Sequence, residues 1–248
     1  MLEKVDKMTN DFNSIAKRER IIVALDCEAH EALALADTLV GRAKWLKVGM
    51  TLFYAQGPAI IAQFKERGFK VFLDLKFHDI PHQVEGAAYS AALSGADMLT
   101  MHAVGGVEMM KAAKRGVERA ASEQGRDVPI TLGITVLTSM DAQTLAQTGV
   151  SRSVTEQVTS LARQAQTAGL SGVVASPQEA ALLRNTLGKD AYIVTPGVRP
   201  LGAAIGDQSR VATPEAAFLA GASHLVIGRP ITQAKDPALA FSEIANNL

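Results

Sequence analysis

Short apolar runs rich in β-branched residues alternate with longer amphipathic stretches along almost the whole chain, and this rhythm restricts the fold more than any other feature. The runs are Ile21–Asp26, Trp45–Gly49, Lys70–Lys76, Asp97–His102, Ile130–Val136, Gly172–Ser176, Tyr192–Thr195 and His224–Gly228. Most are continuous rather than alternating in and out, the pattern of parallel strands covered on both faces. Helical patterns lie between them over Glu28–Val40, Pro58–Arg67, Gln83–Ser94, Val107–Gln124, Ser153–Ala168 and Pro177–Leu187. Several end before a glycine, as at Arg67-Gly68, Ser94-Gly95 and Ala168-Gly169, where helices commonly stop.

Strict strand–helix alternation with short connections calls for parallel βαβ units. Eight such repeats in 248 residues favour an α/β fold of the closed (β/α)8 TIM-barrel type, which takes about 250 residues. A doubly wound sheet is the competing architecture, and no G-x-G-x-x-G follows the first run to support it. Without a Pro/Ser-rich linker, charge run or low-complexity tract, residues 21–248 read as one catalytic barrel domain. Residues 1–20 read as an N-terminal extension, a frayed or helical lead-in.

Lys plus Arg equals Asp plus Glu at 25 each, so no long-range basic field points to nucleic acid or an anionic membrane. Cys27 is the only cysteine, which excludes an intramolecular disulfide and a cysteine-based zinc site. At the end of an apolar run it is expected to be a buried, inert thiol. The first twenty residues lack a signal-peptide core, and no run reaches the 18 or so apolar residues of a membrane span. A cytoplasmic location is the expectation.

A barrel gathers its chemistry where strands end, because the βα-loops build the active face. In this chain nearly every strand releases polar groups at that end. Asp26 ends the first strand, Lys47 lies on the second, and Asp74 and Lys76 end the third. His102 ends the fourth, Thr135 to Ser139 follow the fifth, Thr195 to Arg199 the seventh, and Gly228-Arg229-Pro230 the eighth. Asp74 and Lys76, two apart on a strand, share a face, and Lys47 on the neighbouring strand can approach them. Charges in a barrel mouth are expensive unless paired. One Asp–Lys pair can be purely structural; Lys47, Asp74, Lys76 and Asp79 together, beside an anion site, point to catalysis.

That anion site is expected between the loops after strands seven and eight, where barrels frequently hold phosphate. Gly228 lets the backbone approach, and Arg199 and Arg229 offer forked donors. The stretch 197–209, rich in Gly and Ala, reads as a segment able to close on a phosphorylated ligand, with Gln208 near its far end. His102 reads as a rim hydrogen-bonding group or an acid–base group, the former favoured. His30, His78 and His82 fit no ligand spacing, so neither metal nor cofactor is expected.

Asp74-x-Lys76-x-x-Asp79-Ile80-Pro81 resembles the D-x-K-x-x-D-I-P signature of bacterial-type orotidine 5′-phosphate decarboxylases. The likeness extends from Val23-Ala24-Leu25-Asp26 through Lys47-Val48-Gly49, Thr138-Ser139 and Thr195-Pro196-Gly197-Val198-Arg199 to Val226-Ile227-Gly228-Arg229-Pro230. The resemblance implies decarboxylation of orotidine 5′-phosphate to uridine 5′-phosphate, the last step of de novo pyrimidine nucleotide synthesis, with no metal or cofactor. It further implies an alternating Lys47-Asp74-Lys76-Asp79 array with Lys76 as proton donor. Asp26 and Lys47 would bind the ribose, Thr138 the pyrimidine, and Pro196 would line the ring. Arg199, Gln208, Gly228 and Arg229 would hold the phosphate. In a homodimer, Asp79 and Ile80 would reach the partner's site. Gln83 stands where the family usually has Thr; it offers an amide of longer reach to the ribose.

Loss of CO2 from orotidylate leaves charge on a ring carbon with no adjacent carbonyl or imine to spread it. A fixed ammonium there can stabilise the charge and then protonate the carbon. At about 4 Å and an effective dielectric of about 20, one such pair is worth on the order of 4 kcal/mol, so the whole site must share the acceleration. The nearest alternative is a Mg2+-dependent sugar-phosphate decarboxylase or synthase of the same barrel superfamily. Those enzymes need an acidic ligand near the end of strand two, where this chain has Lys47. A Schiff-base aldolase would need a neutral Lys76, which flanking carboxylates oppose. A non-catalytic barrel would be marked by a degraded array.

Overall fold

The computed structural model describes residues 10–200 and 212–248. Its strands are β1 (Ile21–Leu25), β2 (Trp45–Gly49), β3 (Lys70–Phe77), β4 (Met98–His102), β5 (Ile130–Ile134), β6 (Gly172–Val174), β7 (Tyr192–Thr195) and β8 (His224–Ile227). They pair in sequence order, all parallel, and β8 returns to β1 to close the barrel. The expected (β/α)8 architecture is therefore the observed one.

The helices are α1 (Ala29–Leu39), α2 (Met50–Gln56), α3 (Ala59–Glu66), α4 (Pro81–Leu93), α5 (Val107–Gln124), α6 (Ala142–Gln147), α7 (Val154–Thr167), α8 (Ala180–Leu187), α9 (Pro214–Leu219), α10 (Arg229–Thr232) and α11 (Pro237–Asn246). Sequence patterning missed α2, α6, α9, α10 and α11, most of them too short for a full amphipathic repeat. It also began α4 at Gln83, whereas Pro81 occupies the first turn, where its missing N–H is harmless. Asp26, Asp97, Thr135, Val136, Ala175, Ser176 and Gly228, expected within strands, lie just outside them. The ends of several strand patterns thus belong to the loops. A reciprocal Ser153–Glu156 capping box starts α7.

Two apolar sets make the core. Ile22, Ala24, Trp45, Phe72, Met98, Leu132, Val194 and Val226 fill the barrel. Their neighbours one residue away, such as Val23, Leu46, Val71, Leu73, Leu99 and Leu225, face outward into the helical layer. Helix α5 lies hard against α4 because residue 116 is glycine; a Cβ there would collide with the Glu85 carbonyl. Among the described residues no helix is long and apolar enough to cross a membrane.

The N-terminal mouth of the barrel is stoppered by the chain before β1. Phe12 is buried and sets its ring edge-on to Tyr192 at 4.9 Å, above His224, which stacks on Tyr192 at 5.5 Å. Asn10 donates to the Asp190 carbonyl at 2.9 Å. The opposite mouth is left for chemistry.

Candidate active site

Asp26, Lys47, Asp74 and Lys76 meet at the C-terminal mouth. Lys47 Nζ is 3.0 Å from Asp26 Oδ1 and 3.6 Å from Asp74 Oδ2. Lys76 Nζ donates to Asp74 Oδ2 at 2.8 Å. Side-chain exposure grades from 10% for Lys47 and 12% for Asp74 to 25% for Lys76 and 67% for Asp26. The buried pair anchors the array, Lys76 is partly exposed to the cavity, and Asp26 is its open edge.

Asp74 and Lys76 share a face, but not through regular strand geometry. Leu73 pairs with Leu99 and Phe77 with Met101, so Asp74, Leu75 and Lys76 stand opposite the single residue Thr100. This bulge carries Lys76 into left-handed backbone at φ 53°, the only non-glycine there among the described residues. Such a conformation costs roughly 1–2 kcal/mol in a residue with a Cβ. Bulges re-aim side chains beside active sites.

Burial alone would raise the Asp74 carboxyl, but Lys47, Lys76 and the Thr100 hydrogen bond outweigh it and hold it below its ordinary value. Burial alone would lower the Lys47 ammonium; Asp74 and Asp26 reverse that and keep it above its ordinary value. Both groups are thus held charged at neutral pH. Gly49 permits the packing: a Cβ there would stand 3.2 Å from both Asp26 Oδ1 and Lys47 Nζ.

The array floors a cavity of about 1160 Å³ whose lining also includes Thr138, Pro196, Gly197, Arg199, Gly228 and Arg229. The two arginines thus come together with the array across β7 and β8, as the strand-end reading expected. Arg199 Nη1 donates to the Val198 carbonyl at 2.9 Å, and its N–H donates to the Ala212 carbonyl at 3.0 Å, tying together the two ends of the 201–211 connection. Gln208, and the expected closing segment from residue 201 onward, lie outside the described residues.

Asp79, Ile80 and Gln83 are exposed and are not among the residues lining this chain's own cavity. Asp79 Oδ1 accepts from the Ile80 N–H at 2.6 Å at the start of α4. Cys27 departs from expectation: it is half-buried at the cavity wall rather than buried. Burial, then Glu31 and Asp26, push its thiol up to about 11, so it remains protonated. His102 is half-buried beside His78, ring centroids 5.5 Å apart, and burial and His78 lower its pKa. Sequence reasoning missed Thr100 and Gly49; neither residue type advertises a site, and only the pairing of strands puts them beside the charges.

The sequence profile of the Orotidine 5'-phosphate decarboxylase / HUMPS family matches residues 19–244. The chain belongs to this family. It is similar to an orotidine 5'-phosphate decarboxylase of Actinobacillus succinogenes, 51% identical over 230 residues that cover 92% of this chain and 97% of the relative. A second, from Synechococcus sp., is 48% identical over 93% of this chain and 95% of its own. Among solved structures, orotidine 5'-phosphate decarboxylase from Lactobacillus acidophilus superposes with a TM-score of 0.82 at 38% identity, covering 92% of this chain and 98% of that one. These three relatives carry the decarboxylase name.

Proposed function

We propose that this chain decarboxylates orotidine 5′-phosphate to uridine 5′-phosphate, with no metal or organic cofactor. The observation that carries the reading is the ion-paired Lys47–Asp74–Lys76 array, opening on a cavity that two arginines also line. Phosphate on Arg199, Arg229 and the Gly228 backbone would fix the nucleotide's length. Asp26 and Lys47 would take the ribose hydroxyls, Thr138 the pyrimidine edge, and Pro196 the ring face. Gln208 would add a phosphate contact.

The reactive carbon then sits over Lys76. The bond from that carbon to the carboxylate breaks, its electron pair stays on the ring, and CO2 departs. Lys76 Nζ–H gives its proton to the carbon and regains one from water. The ammonium favours the carbanion over the substrate because charge moves toward it only as the bond breaks. Asp74, 2.8 Å from Lys76 Nζ, aims it.

A homodimer belongs to this proposal. Ile80 is 62% exposed beside the signature, a large apolar group that a partner surface would cover. Asp79 and Ile80 would complete the partner's array, with Gln83 reaching its ribose. The domain reading is a single barrel, residues 21–248, with residues 1–20 as an extension, working in the cytoplasm. The sugar-phosphate reading is opposed by Lys47, whose ammonium cannot ligate Mg2+.

The test offers orotidine 5′-phosphate in excess chelator and follows the pyrimidine absorbance. Turnover unchanged by chelator supports the proposal; activity lost with chelator and restored by Mg2+ would favour the rival. For the shared site, Lys76→Ala and Asp79→Ala subunits are mixed. Recovered activity in the heterodimer supports sharing, and none in a verified heterodimer counts against it.

A further inference from the structure

We propose that Thr100 is a positioning residue whose hydroxyl locks the Asp74 carboxylate to the Lys76 backbone and so sets the aim of the proton donor; this rests on the decarboxylase reading. Thr100 is fully buried on β4, beneath the array. Its Oγ1 donates to Asp74 Oδ1 at 2.9 Å and accepts the Lys76 backbone N–H at 3.0 Å.

A hydroxyl has one proton to give, and here it goes to a carboxylate that can only accept. The direction of both bonds is thereby fixed. The Lys76 N–H has lost its place in the β3–β4 ladder, since three residues face one across the bulge. Without Thr100 that donor would be buried and unsatisfied, beside a backbone already held at φ 53°. Asp74 uses its other oxygen, Oδ2, for both Lys76 and Lys47. The hydroxyl thus stops the carboxylate from rotating, and it ties that carboxylate to the same residue whose ammonium it orients. The γ-methyl of threonine narrows the rotamers available to the hydroxyl. Lys76 is consequently held at both ends, by Asp74 at Nζ and by Thr100 at the backbone.

The experiment compares Thr100→Val, which keeps the shape and removes the hydroxyl, with Thr100→Ser, which keeps the hydroxyl. Thr100→Ala replaces Thr100→Val should the latter not fold. Expected for Thr100→Val is a kcat loss of roughly 10- to 100-fold, the worth of a hydrogen bond to a charged group. KM and the Kd for uridine 5′-phosphate should stay within about 3-fold, and Thr100→Ser should recover most of the rate. Hydrogen exchange at the Lys76 amide should quicken in Thr100→Val while that of Leu99 does not. An unchanged kcat in Thr100→Val, or KM rising in step with the loss of kcat, would overturn the assignment. A wild-type chain that leaves orotidine 5′-phosphate intact defeats the decarboxylase reading instead. Lys76 exchange then decides on the lock alone: protection equal to wild type in Thr100→Val overturns it.

Discussion

Lys76 Nζ lies 2.8 Å from Asp74 Oδ2 across a bulge that puts three residues of one strand against one of the next. Lys76 is partly exposed to the cavity while its counter-charge is buried. On the proposed mechanism, Lys76→Ala removes the group that stabilises and protonates the carbanion. The expected result is a kcat lower by at least ~10³-fold, from the on-the-order-of 4 kcal/mol of a single charge pair. Circular dichroism should be unchanged. Near-normal absorbance decay in this variant would defeat the mechanism.

Arg229 begins α10, lines the cavity and is exposed, so its loss should leave the fold intact. Arg229→Ala should lower kcat/KM for orotidine 5′-phosphate by roughly 10- to 100-fold, the range of charge-assisted hydrogen bonds. The same variant should treat the unphosphorylated nucleoside as wild type does. Equal damage to both substrates would place Arg229 outside the phosphate site.

His224 is buried at the opposite mouth, and burial, with Arg20, Lys44 and Lys70, lowers it from 6.5 to about 3. Its folded pKa lies below its unfolded one, so the unfolded chain binds the proton first. Stability is intact above pH 6.5 and falls as pH drops toward about 3. The slope is roughly 1.4 kcal/mol per pH unit, or about 2 kcal/mol lost by about pH 5. Denaturant unfolding at neutral pH and at about pH 5 should show this extra loss in the wild type and not in His224→Phe. Parallel losses in the two proteins would assign the acid sensitivity elsewhere.

Phe12 plugs the same mouth from outside the barrel, edge-on to Tyr192 at 4.9 Å and under the Arg184 guanidinium at 5.6 Å. Phe12→Ala should destabilise by about 3 kcal/mol, at the low end for a buried Phe, since the site opens on solvent. The Tm should fall by several degrees while KM holds, because the reacting end lies across the barrel. A KM change at unaltered Tm would contradict a purely structural plug.

Legibility followed the range of the interaction. The strands were readable because residues such as Ile21 to Leu25 and Val71 to Leu73 are apolar on both faces, a local property of a barrel wall. Asp26, Lys47, Asp74, Lys76, Arg199 and Arg229 were readable because a charge at a strand end must be paired or functional. Helices α6 and α10 were not, being too short to show a repeat. The buried position of Phe12 was invisible, since nothing near it in the chain announces a partner 180 residues away in Tyr192.

By itself the sequence determined the closed barrel, its active end and the chemical identity of the charge array, because periodicity and residue type act over a few residues. Tertiary structure alone decided how Lys76 is aimed. Its left-handed backbone, the bulge over Asp74 to Lys76 and the Thr100 hydroxyl beneath them arise from the register between β3 and β4. Register is a relation between segments some 24 residues apart. It is settled by how their side chains pack against the rest of the barrel, which neither segment encodes alone.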